Sequence, residues 1–291
     1  MKFLGVYCAM VTPFTAKDEL DLDGMRSNIE YLQSGGVAGL VPCGSTGESS
    51  TLTFDEHKKL IEVTVDEARV PVVAGTGSNS TSEAVELTYY AQDVGADAAL
   101  LIVPYYNKPM KSGLVKHFGA IADACEIPLI LYNIPGRTGI NMDAETISAI
   151  AHEHSNVAGV KEASANFSQI SDIVELTQDL DFCVISGDDG LTLPMMALGA
   201  TGVISVAADL FPKKMGQLTQ FCLDGNYAKA REVHYQLAPL FKALFLETNP
   251  IPIKKACDLL GLAGGPLRLP LTPMTESNVA KLKATLATYT E

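Results

Sequence analysis

The stretch Gly159-Val160-Lys161-Glu162-Ala163 closes an apolar run with a lysine, and the fold of the chain can be worked out from it. The run starts near residue 157 and has the length of a short strand buried on both faces. At the end of a barrel strand, the Lys161 amine would reach a pocket at the barrel mouth. An isolated strand-end lysine more often extends its stem into solvent, so the surrounding sequence must decide.

Seven other apolar or β-branched runs resemble this one. They lie near residues 4–11, 37–43, 71–75, 98–103, 128–132, 182–186 and 202–206. Helix-like segments alternate with them, for example at 22–35, 55–68, 80–94, 111–124 and 143–154. This alternation predicts parallel strands joined by right-handed crossovers. Eight such units favour an α/β fold of the (β/α)8 TIM-barrel type, with an open doubly wound sheet as the alternative.

The strand pattern stops after Phe211, and four helical runs follow. They lie around 213–224, 226–247, 250–261 and 276–288. A barrel needs only one of them, so the others predict a C-terminal helical appendage. We therefore expect a catalytic barrel over residues 1–224 and a helical region over 225–291 that packs on the barrel, since no low-complexity linker separates them.

Composition narrows the classes of function. With 47% hydrophobic and 19% charged residues, the 291-residue chain is typical of a compact globular protein. Its net charge of -13 and the lack of any lysine- or arginine-rich run argue against nucleic acid as a partner. An acidic surface also repels anionic substrates, so an acidic substrate needs a local basic group, for which Arg137 is the candidate.

The six cysteines are scattered and form neither a CxxC pair nor a zinc-ligand spacing. Free thiols in a reducing compartment fit this pattern better than disulfides. The N-terminal sequence does not resemble a secretory leader, and no run approaches the roughly 18 apolar residues of a membrane helix. We therefore predict a cytoplasmic protein without membrane contact.

Lys161 is the best candidate for a nucleophile. At the reference pKa of about 10.4, only about 0.04% of a lysine amine is neutral at pH 7. Desolvation that lowered the pKa to about 7.5 would raise the neutral fraction to roughly a quarter, enough to attack a carbonyl. A Schiff-base enzyme is therefore the leading hypothesis.

The residues that follow other strands supply candidates for the same mouth. Gly44-Ser45-Thr46-Gly47-Glu48-Ser49 offers backbone amides and hydroxyls to a carboxylate, although it lacks the P-loop pattern and could be an ordinary glycine-rich turn. Tyr132 ends the fifth run, where its hydroxyl could relay protons during imine formation. Arg137 lies on a turn rich in proline and glycine and could bind a carboxylate bidentately. Asp188 and Asp189 are adjacent, which alone is weak support for a metal site.

Seven motifs occur in the order and spacing of the 4-hydroxy-tetrahydrodipicolinate synthase family, also called dihydrodipicolinate synthases. They are GSTGES, PYYN, YNIPGRTG, GVKEAS, SGDD, GVISV and NPIP, and the resemblance covers essentially the whole chain. GSTGES and the lysine are common to the wider superfamily of pyruvate-dependent class I aldolases, which includes N-acetylneuraminate lyase. The arginine of YNIPGRTG and the PYYN motif are more specific to the synthases.

The resemblance implies roles for individual residues. Lys161 would form the Schiff base with pyruvate, and Tyr132 would relay protons. Thr46 would link Tyr132 to Tyr106, a tyrosine that the family typically contributes across a subunit interface. Substrate contacts would come from Ser45, Thr46, Arg137, Gly187 and Ile204. Ser45 stands where the family more often has threonine, and we expect at most a modest effect on turnover from this change.

The resemblance also implies a lysine feedback site at an interface. Its lining would be Ser49, Ser50, His57, Asn79, Glu83 and Tyr105. Phe54 departs from lysine-sensitive relatives that carry histidine there, because a phenyl ring offers no polar contact.

The predicted function is thus a class I aldolase-type lyase of the diaminopimelate and lysine pathway. It would condense pyruvate with L-aspartate 4-semialdehyde, need no metal or organic cofactor, and assemble as a homotetramer, a dimer of dimers. The alternatives are a pyruvate-dependent sugar-acid aldolase and a noncatalytic barrel that senses pyruvate or lysine.

Overall fold

The computed structural model describes residues 2–289 and has a barrel of eight parallel strands at its centre. The strands are β1 (Gly5–Ala9), β2 (Gly39–Val41), β3 (Val73–Gly75), β4 (Ala98–Ile102), β5 (Leu129–Asn133), β6 (Val157–Glu162), β7 (Cys183–Ser186) and β8 (Gly202–Ser205). They neighbour one another in the order β2-β1-β8-β7-β6-β5-β4-β3. A parallel bridge between Leu40 and Val72 joins the two ends of this order, so the barrel closes. The prediction of a (β/α)8 barrel is confirmed, and the open sheet is excluded.

Helices follow the strands and cover the outside of the barrel. They are α1 (Leu22–Ser34), α2 (Phe54–Glu67), α3 (Thr81–Asp93), α4 (Lys111–Ala124), α5 (Pro135–Thr138), α6 (Ala144–Glu153), α7 (Phe167–Leu176), α8 (Thr192–Ala197), α9 (Pro212–Leu223), α10 (Tyr227–Ala243), α11 (Ile251–Leu259) and α12 (Glu276–Leu286). Several start at side-chain caps, which is why the predicted bounds come close. The Asp143 carboxylate, for example, accepts a hydrogen bond from the Thr146 N–H and begins α6.

The strands are apolar throughout because both of their faces are buried. In β5, Ile130 and Tyr132 belong to a cluster inside the barrel, together with Ile185 and Ile204. Leu129 belongs to the larger cluster between the strands and the helices. Side chains alternate between the faces of a strand, so each strand contributes to both cores.

The C-terminal helices continue the structure beyond the barrel. Helix α9 packs on β1 and serves as the eighth barrel helix, α10 packs on α9, and α12 contacts both α10 and α11. The division between residues 1–224 and 225–291 stays a prediction, and Met1 and residues 290–291 lie outside the described part. Each of the six cysteines is buried and free. Within residues 2–289, the helices lack the length and apolar character that a membrane span requires.

Candidate active site

Strands β5 and β6 place Tyr132 and Lys161 side by side at the carboxyl end of the barrel. The two residues are register partners, and Lys161 Nζ lies 4.3 Å from the centre of the Tyr132 ring. Both side chains are buried. Paired residues on neighbouring parallel strands point to the same face, which explains why these two functional groups converge. The geometry agrees with the expectation that both reach one barrel mouth.

Burial gives the Lys161 amine a low affinity for protons. Desolvation lowers its pKa, the negative charge of Asp189 opposes this effect and the positive charge of Arg137 adds to it, and the net pKa is about 7. About half of the amine is therefore neutral at pH 7, compared with about 0.04% for an ordinary lysine. The side chain can act as a nucleophile without another base.

This low pKa predicts how imine formation depends on pH. Only the neutral amine attacks a carbonyl, so the rate of imine formation should rise with pH up to about 7 and level off above it. Below that pH the rate should fall about tenfold for each pH unit. Borohydride trapping of the pyruvate imine at different pH values measures this dependence of the rate on pH. A rate that keeps rising up to about pH 10 would show that the amine has the pKa of an ordinary lysine.

Tyr132 is suited to donate a proton. Burial raises the pKa of its phenol to about 12, although the charge of Arg137 and a hydrogen bond from Ser45 act in the opposite direction. The phenol is therefore protonated at neutral pH and lies beside the amine that reacts. A group in this state can hand a proton to a leaving hydroxyl and recover it later.

Two hydroxyls of the GSTGES loop have different surroundings. The Ser45 hydroxyl acts to lower the pKa of the Tyr132 phenol, against the effect of burial. Thr46 is buried, and its Oγ1 accepts a hydrogen bond from Asn249 Nδ2 at 3.0 Å. The link from Thr46 to Tyr132 and Tyr106 stays a prediction.

Arg137 lies on α5, directly after β5. One of its guanidinium nitrogens donates to the Asn249 carbonyl at 2.8 Å, which holds the side chain across the barrel mouth. Its charge acts on both Lys161 and Tyr132. The guanidinium also lines a cavity of about 410 Å³ that reaches Ser45. Arg137 therefore offers the local positive charge that an anionic substrate needs on this acidic protein.

Gly187 lies close to the reactive amine, and Ile204 lies in the cluster inside the barrel. A Cβ at Gly187 would come within 3.2 Å of Lys161 Cε and 2.7 Å of Ala163 Cβ, so only glycine leaves the amine its space. Ile204 is buried in the cluster inside the barrel that also contains Tyr132. Both residues can present backbone groups and apolar surface to a small keto acid.

Tyr106 does not join this group within the chain. It is 89% exposed and has a positive φ of 68°, a backbone conformation that is unusual for a tyrosine. The loop is fixed next to it, because Asn107 Nδ2 donates to the Asn79 carbonyl at 2.8 Å. The phenol therefore extends away from the barrel on an ordered loop.

Comparison with known proteins identifies the lineage of this site. A model of the dihydrodipicolinate synthetase family matches residues 2–289. The chain belongs to this family. A 4-hydroxy-tetrahydrodipicolinate synthase of Methanothrix thermoacetophila is 55% identical over 98% of this chain and 96% of its own length.

Solved structures of the dihydrodipicolinate synthetase family agree with this result. Dihydrodipicolinate synthase from Aquifex aeolicus has a TM-score of 0.96 and 48% identity, covering 99% of this chain and 98% of its own. The enzyme from Cyanidioschyzon merolae, solved with lysine bound, has a TM-score of 0.95 and 43% identity, covering 98% and 97%.

Five of the six residues predicted to form a lysine site line the same cavity as Arg137 and Ser45. Its lining includes Ser49, Ser50, His57, Glu83 and Tyr105. Asn79, the sixth predicted residue, donates from Nδ2 to the Tyr105 carbonyl at 3.3 Å. His57 Nε2 contacts the Gly75 carbonyl at 2.6 Å, and burial lowers the pKa of the imidazole, which is therefore neutral at pH 7. Phe54, which is partly exposed, also lines the cavity.

Three functional positions of this family member escaped the sequence analysis. Asn249 joins Thr46 to Arg137, although it lies in the NPIP motif, far from any barrel strand. A buried ion pair joins Glu48 of the GSTGES loop to Lys254 of α11 at 2.6 Å. The NPIP motif was the one signal that could have pointed to Asn249. Its prolines predict breaks between helices, but they do not predict which residues the segment contacts.

Asn133 and Glu162 were also missed, and they support the reactive pair from behind. They follow Tyr132 and Lys161 in β5 and β6 and are register partners themselves. Asn133 Nδ2 donates to Glu162 Oε2 at 2.9 Å, and Gln169 Nε2 donates to the same oxygen at 3.2 Å. This buried network fixes the relative height of the two strands, and so of the reactive side chains.

Proposed function

We propose that this chain is a 4-hydroxy-tetrahydrodipicolinate synthase, a lyase that condenses pyruvate with L-aspartate 4-semialdehyde in lysine and diaminopimelate synthesis. One observation carries the proposal: Lys161 is buried and has a pKa near 7, and its Nζ lies 4.3 Å from the ring centre of Tyr132, whose phenol is protonated at neutral pH. The 55% identity to a synthase supports the same reaction. Arg137 at the mouth favours a second substrate with a carboxylate.

The reaction begins at the Lys161 amine. The neutral nitrogen attacks the keto carbon of pyruvate, and the carbinolamine loses water to form an imine. Tyr132, protonated at neutral pH, supplies the proton that the departing hydroxyl needs, and the Ser45 hydroxyl interacts with the same phenol. The protonated imine withdraws electrons, so the pyruvate methyl group loses a proton and becomes an enamine carbon.

The enamine then forms the new carbon–carbon bond. Its carbon attacks the aldehyde of the semialdehyde, whose carboxylate would pair with Arg137. The amino group of this substrate next attacks the imine carbon and displaces Lys161 by transimination. This step closes the ring and returns the lysine amine for another turnover, with Tyr132 carrying protons between the steps.

A coupled assay tests the proposal. Product formation from pyruvate and L-aspartate 4-semialdehyde is followed as NADPH oxidation by excess dihydrodipicolinate reductase. We expect turnover with the semialdehyde, none with polyol aldehydes, and a raised KM for the semialdehyde in Arg137→Ala. The reductase does not act on the products of polyol aldehydes, so turnover of these substrates is followed as consumption of pyruvate. Such turnover, if Arg137→Ala leaves it unaltered, would favour a sugar-acid aldolase instead. A folded protein without turnover on either substrate class would indicate a sensor.

We further propose that Tyr106 completes the site of a neighbouring subunit in a homotetramer. Its 89% exposure and positive φ support this role, because an ordered loop holds an aromatic side chain away from its own barrel. The proposal predicts that Tyr106→Phe lowers turnover in the assembled enzyme. Full activity of a species that sedimentation velocity identifies as a monomer would contradict it.

L-lysine is proposed as an effector that binds the predicted lysine site in the cavity. Glu83 carries a carboxylate there, on the exposed start of α3, and can pair with an ammonium group. We expect millimolar L-lysine to lower turnover in the wild type and to lose this effect in Glu83→Gln. Glu86→Gln is the matched control, because Glu86 lies on the same helix but pairs with Lys58. Wild-type turnover that is unchanged by millimolar lysine would reject the proposal.

A further inference from the structure

A pair of buried carboxyl groups lies just after strands β7 and β8 and has no part in the steps above. Asp189 follows β7 and Asp209 follows β8, and their side chains are 3% and 5% exposed. Asp189 Oδ1 and Asp209 Oδ2 are buried without a hydrogen-bond partner among the described residues. Buried carboxylate oxygens normally accept hydrogen bonds, so two such atoms in interacting groups require an explanation.

The other oxygen of each group is anchored to backbone. Asp189 Oδ2 accepts from the N–H groups of Val206 and Ala207 at 3.1 and 2.8 Å, which ties the end of β7 to the end of β8. Asp209 Oδ1 accepts from the Val11 N–H at 3.2 Å. These bonds hold both carboxyls in place at the barrel mouth, two strands from Lys161 at the most.

The Asp189 charge reaches the reactive amine. Asp189 lies two residues beyond Gly187, the glycine that leaves space for Lys161 Cε, and its charge raises the pKa of Lys161 against the effect of burial. Arg137 and the Tyr132 ring are the other groups that face the amine. Asp189 is thus the negative group that acts on a nitrogen which must become positively charged in the imine.

The two carboxyls have different surroundings. Burial raises the pKa of Asp189 to about 6, with Asp188 adding to the rise and the Ser205 hydroxyl and two backbone N–H groups opposing it. Burial and the charge of Asp189 raise the pKa of Asp209 well above its ordinary value, against the Val11 N–H and the Cys8 thiol. The charge of Asp189 thus opposes ionisation of Asp209.

We propose that Asp189 acts through Lys161, as the buried negative charge that stabilises the protonated imine. Asp209 stays neutral in this proposal and is only part of the surroundings of Asp189. Asp189 is then a positioning residue rather than a catalytic one. The inference rests on the proposed function for its consequence in turnover, but the electrostatic coupling to Lys161 can be measured without any substrate.

Isosteric variants separate the two aspartates. In Asp189→Asn the amide oxygen can still accept from Val206 and Ala207, so the anchor remains while the charge is lost. We expect the pKa of Lys161 to fall by about 1 unit and the equilibrium constant for the pyruvate imine to fall roughly tenfold. In Asp209→Asn a neutral group replaces a neutral group, so the pKa of Lys161 should not move.

The direct readout is the rate at which cyanate carbamylates Lys161 across pH, measured on the Lys161 peptide by mass spectrometry. Cyanate reacts with the neutral amine alone, so the midpoint reports the pKa of Lys161 even in a protein that does not turn over pyruvate. The expected result is a lower midpoint in Asp189→Asn and a wild-type midpoint in Asp209→Asn. An unmoved midpoint in Asp189→Asn, or an equal shift in both variants, would overturn the inference.

Ser205→Ala provides a second variant if Asp189→Asn does not fold. Loss of the Ser205 hydroxyl raises the pKa of Asp189, so more Asp189 is protonated near pH 7. The Lys161 midpoint should then fall in the same direction by a smaller amount. Pyruvate trapping by borohydride, run in parallel, tests the proposed function separately. If no pyruvate adduct forms, the carbamylation result still reports the pKa of Lys161.

Discussion

Replacement of Lys161 by alanine is expected to lower turnover by about 10⁴- to 10⁶-fold, as the loss of other covalent nucleophiles does. The amine is buried, has a pKa near 7 and lies against the Tyr132 ring, so no other described lysine can substitute for it at this position. The coupled assay measures the loss of rate. Mass spectrometry after incubation with pyruvate and borohydride should show an adduct on the wild type and none on the variant.

Two controls separate chemistry from folding. Lys116, an exposed residue on α4, should tolerate alanine with wild-type turnover. The Lys161→Ala protein should unfold at a denaturant concentration no lower than that of the wild type, because burying an amine costs stability and its removal relieves that cost. Robust activity in a folded Lys161→Ala protein would remove this residue from the mechanism.

The second large effect concerns the buried ion pair below the GSTGES loop. Lys254 Nζ donates to Glu48 Oε1 at 2.6 Å, and the two side chains are each 1% exposed. The same ammonium donates to the carbonyls of Thr12 and Pro266. Replacing Lys254 with methionine leaves Glu48 buried without its cation. We expect a loss of about 3–5 kcal/mol in the free energy of unfolding, measured by denaturant titration.

A double variant shows whether the unpaired charge causes this loss. Lys254→Met combined with Glu48→Gln removes both charges and should recover part of the stability. Lys58→Met breaks a pair with Glu86 on the protein surface, and this control should cost much less stability than Lys254→Met. Equal losses of unfolding free energy in Lys254→Met and Lys58→Met would show that burial of the Lys254–Glu48 pair does not increase the cost of breaking it.

Loss of the pair should also affect the site. Glu48 has a positive φ of 54° and lies three residues from Ser45 in the same loop. Its second oxygen, Oε2, accepts from the Arg268 N–H at 3.0 Å, so α11 and the segment after it hold the loop from below. The C-terminal region thus supports the loop that carries Ser45 and Thr46.

The barrel could be predicted because its determinants are local and repeated. Apolar runs of five to eight residues alternate with segments that begin at capping residues such as Asp143, and each such unit can be recognised alone. Lys161 and Tyr132 could be placed at one mouth, because the carboxyl ends of all strands in a parallel barrel meet there. The register of β5 and β6, which pairs Tyr132 with Lys161, then brings the two side chains together.

Contacts between distant segments could not be predicted in this way. The separate surroundings of the Ser45 and Thr46 side chains depend on how the loop turns, because both residues offer a hydroxyl. The role of Asn249 depends on where the tail crosses the barrel mouth, more than 200 positions after Thr46. Likewise, nothing around Asp189 indicates that one of its oxygens is buried without a partner.

The sequence by itself determined the barrel, the nucleophile at its mouth and the resemblance to a family, because these follow from periodicity and from motifs in order. The tertiary structure decided the electrostatics of the site. The low pKa of Lys161 arises from burial and from the charge of Arg137, against the opposing charge of Asp189, and these groups approach the amine only after the barrel closes. Charges and desolvation act through space, so their effects depend on distances that the order of residues does not contain.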